Sequence, residues 1–303
     1  MTAPLRIGVD LGGTKIEAVA MGPQGEIVVR RRVATPAQEY DAILAATAAL
    51  IGAIEAEAGP AAHVGFGTPG AISPATGLMK NSNTLVLNGR PLARDLESAL
   101  HREIRVENDA NCFALSEAVD GAAAGADVVF GVILGTGVGG GIVVDERVLR
   151  GRNAVAGEWG HNPLPRMRAE EFPGPRCYCG RDGCIETFLC GPALTRQHRA
   201  RTGEDSPAPQ IARRADEGDA AARATLDVYR DRLARALAHV VNLLDPDVVV
   251  LGGGVSNIDA IYDGLEGLVE SYAFTDELAT KIVKNRHGDS GGVRGAAWLW
   301  PAA

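Results

Sequence analysis

The strongest constraint on this chain is that its opening pattern occurs twice. An apolar run from Arg6 to Asp10 leads into the turn Leu11-Gly12-Gly13-Thr14. A second run follows, Lys15 to Met21, then the turn Pro23-Gln24-Gly25 and a third run, Glu26 to Val33. The same order returns at Val128. Val128 to Leu134, Gly135-Thr136-Gly137, Val138 to Val144, Asp145-Glu146-Arg147 and Val148-Leu149 again read as strand, turn, strand, turn, strand. The two copies share little residue identity, so the repeat is one of pattern. It implies a duplicated α/β domain with a glycine-rich hairpin at the start of each half.

The rest of the chain fits between and after these meanders. Tyr40, Ile43, Leu44, Thr47, Leu50, Ile51 and Ile54 share one helical face. His63 to Gly67 and Arg102 to Asn108 read as strands, and Ala110 to Ala122 as a helix. A long amphipathic helix carries Leu226, Leu233, Leu237, Val240 and Leu244 and stops at Pro246. The strand Asp247 to Leu251 follows, then Gly252-Gly253-Gly254, a helix from Ile258 to Tyr272 and a C-terminal helix after Gly291-Gly292. Met167 to Arg176 and Thr202 to Pro209 read as loops. The expected division is an N-terminal α/β domain of residues 1–118 plus 289–303 and a C-terminal one of residues 119–288, and 303 residues suffice for two cores.

Charge narrows the partners. A net charge of -8 argues against nucleic acid or an anionic membrane as the main partner. It does not exclude phosphorylated ligands, because backbone amides bind phosphate without net positive charge. The longest uncharged stretch, Val128 to Val144, holds six glycines between Asp127 and Asp145 and does not read as a membrane span. Met1 to Leu5 lacks the basic-then-apolar start of a signal peptide, so the expected location is cytoplasmic.

Three glycine clusters each follow a strand: Gly12-Gly13, Gly135-Thr136-Gly137 and Gly252-Gly253-Gly254. Without a Cβ, their N–H groups can turn towards an anion. Thr14 and Thr136 add hydroxyls and Lys15 a charge. Each cluster alone is equally a plain turn, and neither the Walker pattern nor the dinucleotide fingerprint fits. As a set they suit a polyphosphate gripped from two sides in a cleft between domains, with Gly253 and Gly254 receiving the nucleoside end. Asp109, in Glu107-Asn108-Asp109-Ala110-Asn111, lies at a strand-to-helix junction. It reads as an N-cap or as an acid that orients an attacking hydroxyl and accepts its proton. Asp10, at the first turn, reads as a turn residue or as a magnesium holder.

Gly157-Glu158-Trp159-Gly160-His161 precedes Cys177-Tyr178-Cys179-Gly180-Arg181-Asp182-Gly183-Cys184-Ile185-Glu186. His161, Cys177, Cys179 and Cys184 form a Cys₃His set matching a closed, structural zinc site. The alternative is unrelated reduced thiols, which is how Cys112 and Cys190 read: small and buried. Glu158 and Glu186 flank the set, and acids and amides suit sugar hydroxyls. Asn81, Asn83 and Asn108 are further candidates, each also a common turn residue.

Asp10-Leu11-Gly12-Gly13-Thr14-Lys15, Asn108-Asp109, Gly135-Thr136-Gly137 and Glu158-Trp159-Gly160-His161 before the cysteine motif together resemble the ROK family (repressors, open reading frames, kinases), from Ile7 to about Trp300. Within it, Lys80-Asn81-Ser82-Asn83, Asn108 to Gly125, Gly157 to Pro165, Cys177 to Phe188 and His287 to Trp300 most resemble bacterial fructokinases of the manno(fructo)kinase type. N-acetylglucosamine kinases share much of this. The resemblance implies the duplicated actin/hexokinase-like (ribonuclease H-like) ATPase fold, with two domains around a cleft. It implies phosphorylation of a free hexose at its 6-hydroxyl, fructose first, with N-acetylglucosamine or glucose as alternatives. It also implies ATP, magnesium and structural zinc as cofactors, and a cytoplasmic homodimer. Asp109 becomes the catalytic base, and Asn83, Asn108, Glu158, His161 and Glu186 the sugar pocket. Many relatives have tryptophan where Val86 stands. The family's regulators place a DNA-binding domain ahead of the core. With the first strand at Arg6, no room for one is expected here. A sugar sensor without catalysis is disfavoured by the phosphate turns and Asp109.

Overall fold

The computed structural model describes residues 5–36 and 38–300. The reading of the chain's first residues falls largely on 1–4, outside them. In chain order come β1 (Leu5–Leu11), β2 (Lys15–Met21), β3 (Ile27–Ala34), α1 (Tyr40–Ala58), β4 (Ala61–Thr68), β5 (Ala71–Ile72), β6 (Met79–Lys80), α2 (Leu92–Leu100), β7 (Arg105–Asn108) and α3 (Asp109–Val119). Then follow β8 (Val128–Leu134), β9 (Val138–Val144), β10 (Arg147–Val148), α4 (Glu186–Leu189), α5 (Gly191–Thr202), α6 (Ala208–Asp216) and α7 (Ala220–Leu244). The chain ends with β11 (Val248–Gly252), α8 (Leu265–Tyr272), β12 (Lys281–Lys284) and α9 (Gly291–Trp298). No helix among the described residues is long and apolar enough to cross a membrane.

The repeated sequence pattern becomes a repeated topology. One sheet has the order β3-β2-β1-β4-β7, the other β10-β9-β8-β11-β12. In the first, β1 pairs antiparallel with β2 and parallel with β4, and β4 pairs parallel with β7. In the second, β11 lies parallel to both β8 and β12.

Contacts divide the chain into two compact units. The first holds the residues up to Gly125, Gly141–Ala156 and those from Asp289 on, and the second holds Ala126–Gly140 and Gly157–Gly288. Residues 141–156 join the first unit through contacts such as Gly141, where a Cβ would stand 2.5 Å from the Ala110 carbonyl oxygen.

In the first unit, alternate residues of the sheet face different partners. Ile7, Val9, Leu11, Ile16 and Phe66 form one face and pack with Ile43, Leu50, Ile51 and Ile54 of α1 in a single core. On the opposite face, Gly8 and Gly65 let α9 lie directly on the strands. A Cβ at Gly8 would come within 2.0 Å of the Val293 oxygen, and one at Gly65 within 1.9 Å of the Ala296 oxygen. The far side of α9 meets α3 as closely, because a Cβ at Gly295 would be 1.6 Å from the Cys112 oxygen. Cys112 itself is fully buried. Any larger residue at these positions displaces a backbone.

In the second unit, buried Glu171 accepts from Arg232 Nε at 2.7 Å and Arg235 NH2 at 2.8 Å on α7. Burial works to raise its pKa, but these guanidiniums prevail and hold it down at about 2. Three readings of this unit change. Residues 169–171 form a 3₁₀ turn within the expected loop, and α6 begins inside the second one. The helix expected from Ile258 starts only at Leu265, after 3₁₀ turns and Gly264 at φ 66°. A left-handed residue cannot continue a helix, so the apolar spacing of Ile258 and Ile261 belongs to tight turns.

Candidate functional site

Two strand ends and one helix start build the site of the first unit. β1 ends at Asp10 and Leu11, and Gly12 closes the hairpin by donating its N–H to the Lys15 oxygen at 3.0 Å. Thr35 braces the turn, its Oγ1 donating to the Gly12 oxygen at 2.7 Å and its N–H to the Thr14 oxygen at 3.0 Å. Thr14 is exposed at the tip, with Gly13 and Lys15 half-buried. Lys15 Nζ lies 3.8 Å from Glu17, a buried carboxylate that also pairs with Arg30 and Arg32.

β7 runs directly into α3, and the junction corrects one reading. Asn108, and not Asp109, is the N-cap: its Oδ1 accepts the N–H groups of Ala110 at 2.9 Å and Asn111 at 3.3 Å. Asn108 Nδ2 donates to the Gly70 oxygen at 3.3 Å. Asp109 is the first helical residue, exposed, with Oδ1 accepting the Ala110 N–H at 2.8 Å. It is close enough to Asp10 for their charges to interact. Asp10 is pushed up to about 6, by burial first and then by the negative charges of Asp109 and Glu17. A carboxylate desolvated among like charges is suited to a cation.

The loop before α2 carries Asn83, which is exposed. Its neighbours hold it. Asn88 accepts the Ser82 N–H at 2.9 Å and donates to the Ser82 oxygen at 2.8 Å. Buried Thr84 points its Oγ1 at Gly13, where a Cβ would lie 3.0 Å away. Asn81 adopts φ 58°, the left-handed conformation of a turn residue. Sequence reasoning missed Ser82, Thr84, Asn88 and Glu17; the spacing of Ser82 and Asn88 gives no periodic signal.

In the second unit, Gly135 donates its N–H to the Gly137 oxygen at 2.9 Å and accepts from Gly191 N–H at 2.8 Å. Thr136 is exposed at the tip. Gly253, at φ 83°, sits against the start of this turn, where a Cβ would be 2.6 Å from the Leu134 oxygen, and exposed Gly254 follows. Glu186, at the start of α4, accepts the Val138 N–H through Oε2 at 3.0 Å, and its Oε1 lies 3.7 Å from Cys177 Sγ. It therefore ties the cysteine loop to the hairpin. Glu158 is exposed, with Trp159 beside it anchored by Nε1 donating to the Gly139 oxygen at 3.1 Å.

His161, Cys177, Cys179 and Cys184 converge, their ligand atoms all within 4.8 Å of one another. His161 Nδ1 is 3.6 Å from Cys177 Sγ, and Cys179 and Cys184 sulfurs are 3.6 Å apart. A tetrahedral zinc with bonds of about 2.3 Å to sulfur and 2.0–2.1 Å to nitrogen sets such edges at roughly 3.6–3.8 Å. The donor set therefore fits zinc, with Nδ1 as the imidazole ligand. His161 Nε2 lies 3.0 Å from the Tyr178 hydroxyl, an outer partner that fixes the ring and that sequence reasoning overlooked. Cys112 and Cys190 stand apart from the set as buried free thiols.

Comparison with known proteins agrees with the topology. The ROK family model matches residues 6–303. An N-acetyl-D-glucosamine kinase of Erwinia tasmaniensis is 43% identical over 96% of this chain and 98% of its own. The crystal structure of a ROK hexokinase from Thermus thermophilus superposes with TM-score 0.86 at 32% identity, covering 97% of each chain. That of a ROK family glucokinase from Streptomyces griseus, in complex with glucose and AMPPNP, gives 0.78 at 29% identity over 97% of this chain and 98% of its own. The hexokinase-like fold expected from the sequence is borne out. The relatives compared are not fructokinases, so the expected fructokinase subtype is unsupported by them.

The raised pKa of Asp10 makes a prediction for protein free of magnesium and nucleotide. A carboxyl whose folded pKa lies at about 6, against 3.8, destabilises the fold by about 3 kcal/mol once ionised. This penalty is full above pH 6 and fades as the pH falls towards 3.8. Asp10→Asn should raise the melting temperature at pH 8, with a gain that shrinks steadily below pH 6 in a series of thermal melts. No gain at pH 8, or one independent of pH, contradicts this.

Proposed function

Because this chain belongs to the ROK family, we propose that it transfers the γ-phosphoryl group of ATP to the 6-hydroxyl of a free hexose, with Asp109 as the base. It is an ATP-dependent sugar kinase; the family and the hexokinase and glucokinase likenesses support this. The observation that carries the residue assignment is the junction at the start of α3. Asn108 is the N-cap, accepting the Ala110 and Asn111 N–H groups, so the cap position does not require Asp109, whose Oδ1 shares only the Ala110 N–H. Asp109 stands at the helix start, in the same unit as the glycine hairpin and Asp10.

Asp109 orients the sugar hydroxyl and takes its proton as the oxygen attacks phosphorus. The N–H groups around Gly12-Gly13-Thr14 and Gly135-Thr136-Gly137 receive phosphate oxygens, with Gly253 and Gly254 at the nucleoside end. Asp10 would hold magnesium, which would supply neutralisation of the phosphate charge. Asn83, Asn108, Glu158 and Glu186 offer the sugar their amides and carboxylates; His161, with Nδ1 towards the metal, can offer Nε2 only by releasing the Tyr178 hydroxyl.

N-acetyl-D-glucosamine is the first acceptor to consider, since the Erwinia tasmaniensis relative bearing that name aligns over nearly the whole chain. Fructose is the second reading, favoured by the stretches Lys80 to Asn83, Asn108 to Gly125 and Cys177 to Phe188 that resemble fructokinases. The test is kcat/KM with ATP for N-acetyl-D-glucosamine, fructose, mannose and glucose. The first reading expects N-acetyl-D-glucosamine to lead by about tenfold or more, beyond what one hydrogen bond of ~1 kcal/mol supplies. A fructose lead of that size assigns the enzyme to the second reading. ATP turnover with none of these sugars defeats both.

The Cys₃His set holds one structural zinc that carries Glu186 to the hairpin. Elemental analysis should find about one zinc per chain. Cys179→Ser should lower zinc content, melting temperature and activity together. Active protein without zinc contradicts this.

A further inference from the structure

The first unit contains a brace that the proposed chemistry does not assign. Glu107 is buried, 6% exposed, one residue before the Asn108–Asp109 pair. Its Oε1 accepts the Asn108 N–H at 3.0 Å and Asn111 Nδ2 at 3.0 Å, one from each side of Asp109. Its Oε2 accepts Arg150 Nε at 2.7 Å. Arg150 NH2 donates in turn to the Val106 oxygen at 3.0 Å. Three residues further on, the Asn153 oxygen accepts Lys80 Nζ at 2.6 Å, at the base of the loop carrying Asn83. The segment from Arg150 to Asn153 therefore fastens both loops from which the sugar is to be held.

Charge makes Arg150 the critical member. Burial, and after it the carboxylates of Glu107, Asp10 and Asp109, push the Cys112 thiol up, so three acids gather around one point. Among the described residues, Glu107 forms its ion pair with Arg150. A buried carboxylate stripped of its partner is costly and changes its proton state or its position. Either response moves the two N–H donors that straddle Asp109.

We propose that Arg150 is a positioning residue for Asp109: through Glu107 it fixes the Asn108–Asn111 segment, and through the strap to Asn153 it sets that segment against the Asn83 loop. The proposal rests on Asp109 being the base. The effect belongs in kcat, since misplacement of a catalytic group costs rate steeply while sugar and nucleotide contacts persist.

The test is Arg150→Met in the full chain, with kcat expressed per folded protein. The expected result is a fall in kcat of about tenfold or more, with KM for sugar and ATP within about threefold of wild type. Glu107→Gln combined with Arg150→Met should recover part of the loss, because a neutral amide keeps an oxygen for the Asn108 N–H and needs no counter-charge. If Arg150→Met does not fold, Arg150→Lys is read the same way, with a smaller fall, since one ammonium cannot replace both guanidinium contacts. A kcat within about twofold of wild type, or a double variant no better than the single one, overturns the proposal. Asp109→Asn measured alongside separates the failures. If it stays active, the base assignment falls; if it is dead while Arg150→Met turns over normally, only the brace falls.

Discussion

The backbone-to-backbone contact of α9 with the first sheet and with α3 is the constraint on which the rest depends. Gly8, Gly65 and Gly295 leave no room for a side chain between these layers. The same sheet aligns the two acids: Asp10 pairs with Gly67 of β4, and Gly67 and Thr68 pair with Glu107 and Asn108 of β7, from which α3 starts at Asp109. That register is why Asp109 and Asp10 sense one another. A larger residue at Gly8, Gly65 or Gly295 would push α9 off the sheet or off α3 and disturb the layer that supports both acids.

The site is accordingly held against an electrostatic cost. Asp10, Glu107 and Asp109 gather around Cys112, and each has help of a different kind. Glu107 has Arg150, Asp109 has the helix start, and Asp10, opposed by Glu17, has the positive charges of Lys15 and Arg32. In the second unit the comparable device is Glu186, whose two oxygens link the hairpin to the cysteine loop.

What was legible in the sequence was whatever had a period or a fixed spacing. The two meanders were visible because alternation and glycine turns recur in the same order, and both became sheets of the same strand order. The Cys₃His set was visible from three thiols in eight residues, and it converges in space. Local chemistry misled where two residues competed for one job. By sequence Asp109 reads as the cap; only the ψ of 147° at Asn108 and its bonds to Ala110 and Asn111 assign the role to Asn108. Contacts between distant segments left no trace in spacing: Glu107 with Arg150, Lys80 with Asn153 and Thr84 with Gly13. The floor of Gly8 and Gly65 escaped notice too, since a glycine within an apolar strand announces nothing about the helix that will lie on it.

The central claim, that Asp109 takes the proton of the sugar hydroxyl, is tested most directly by Asp109→Asn, with sugar binding and turnover measured on the same sample. The account predicts that turnover falls by about a hundredfold or more while the dissociation constant for the sugar changes by less than about threefold. Turnover near the wild-type rate, with the sugar bound normally, would contradict it.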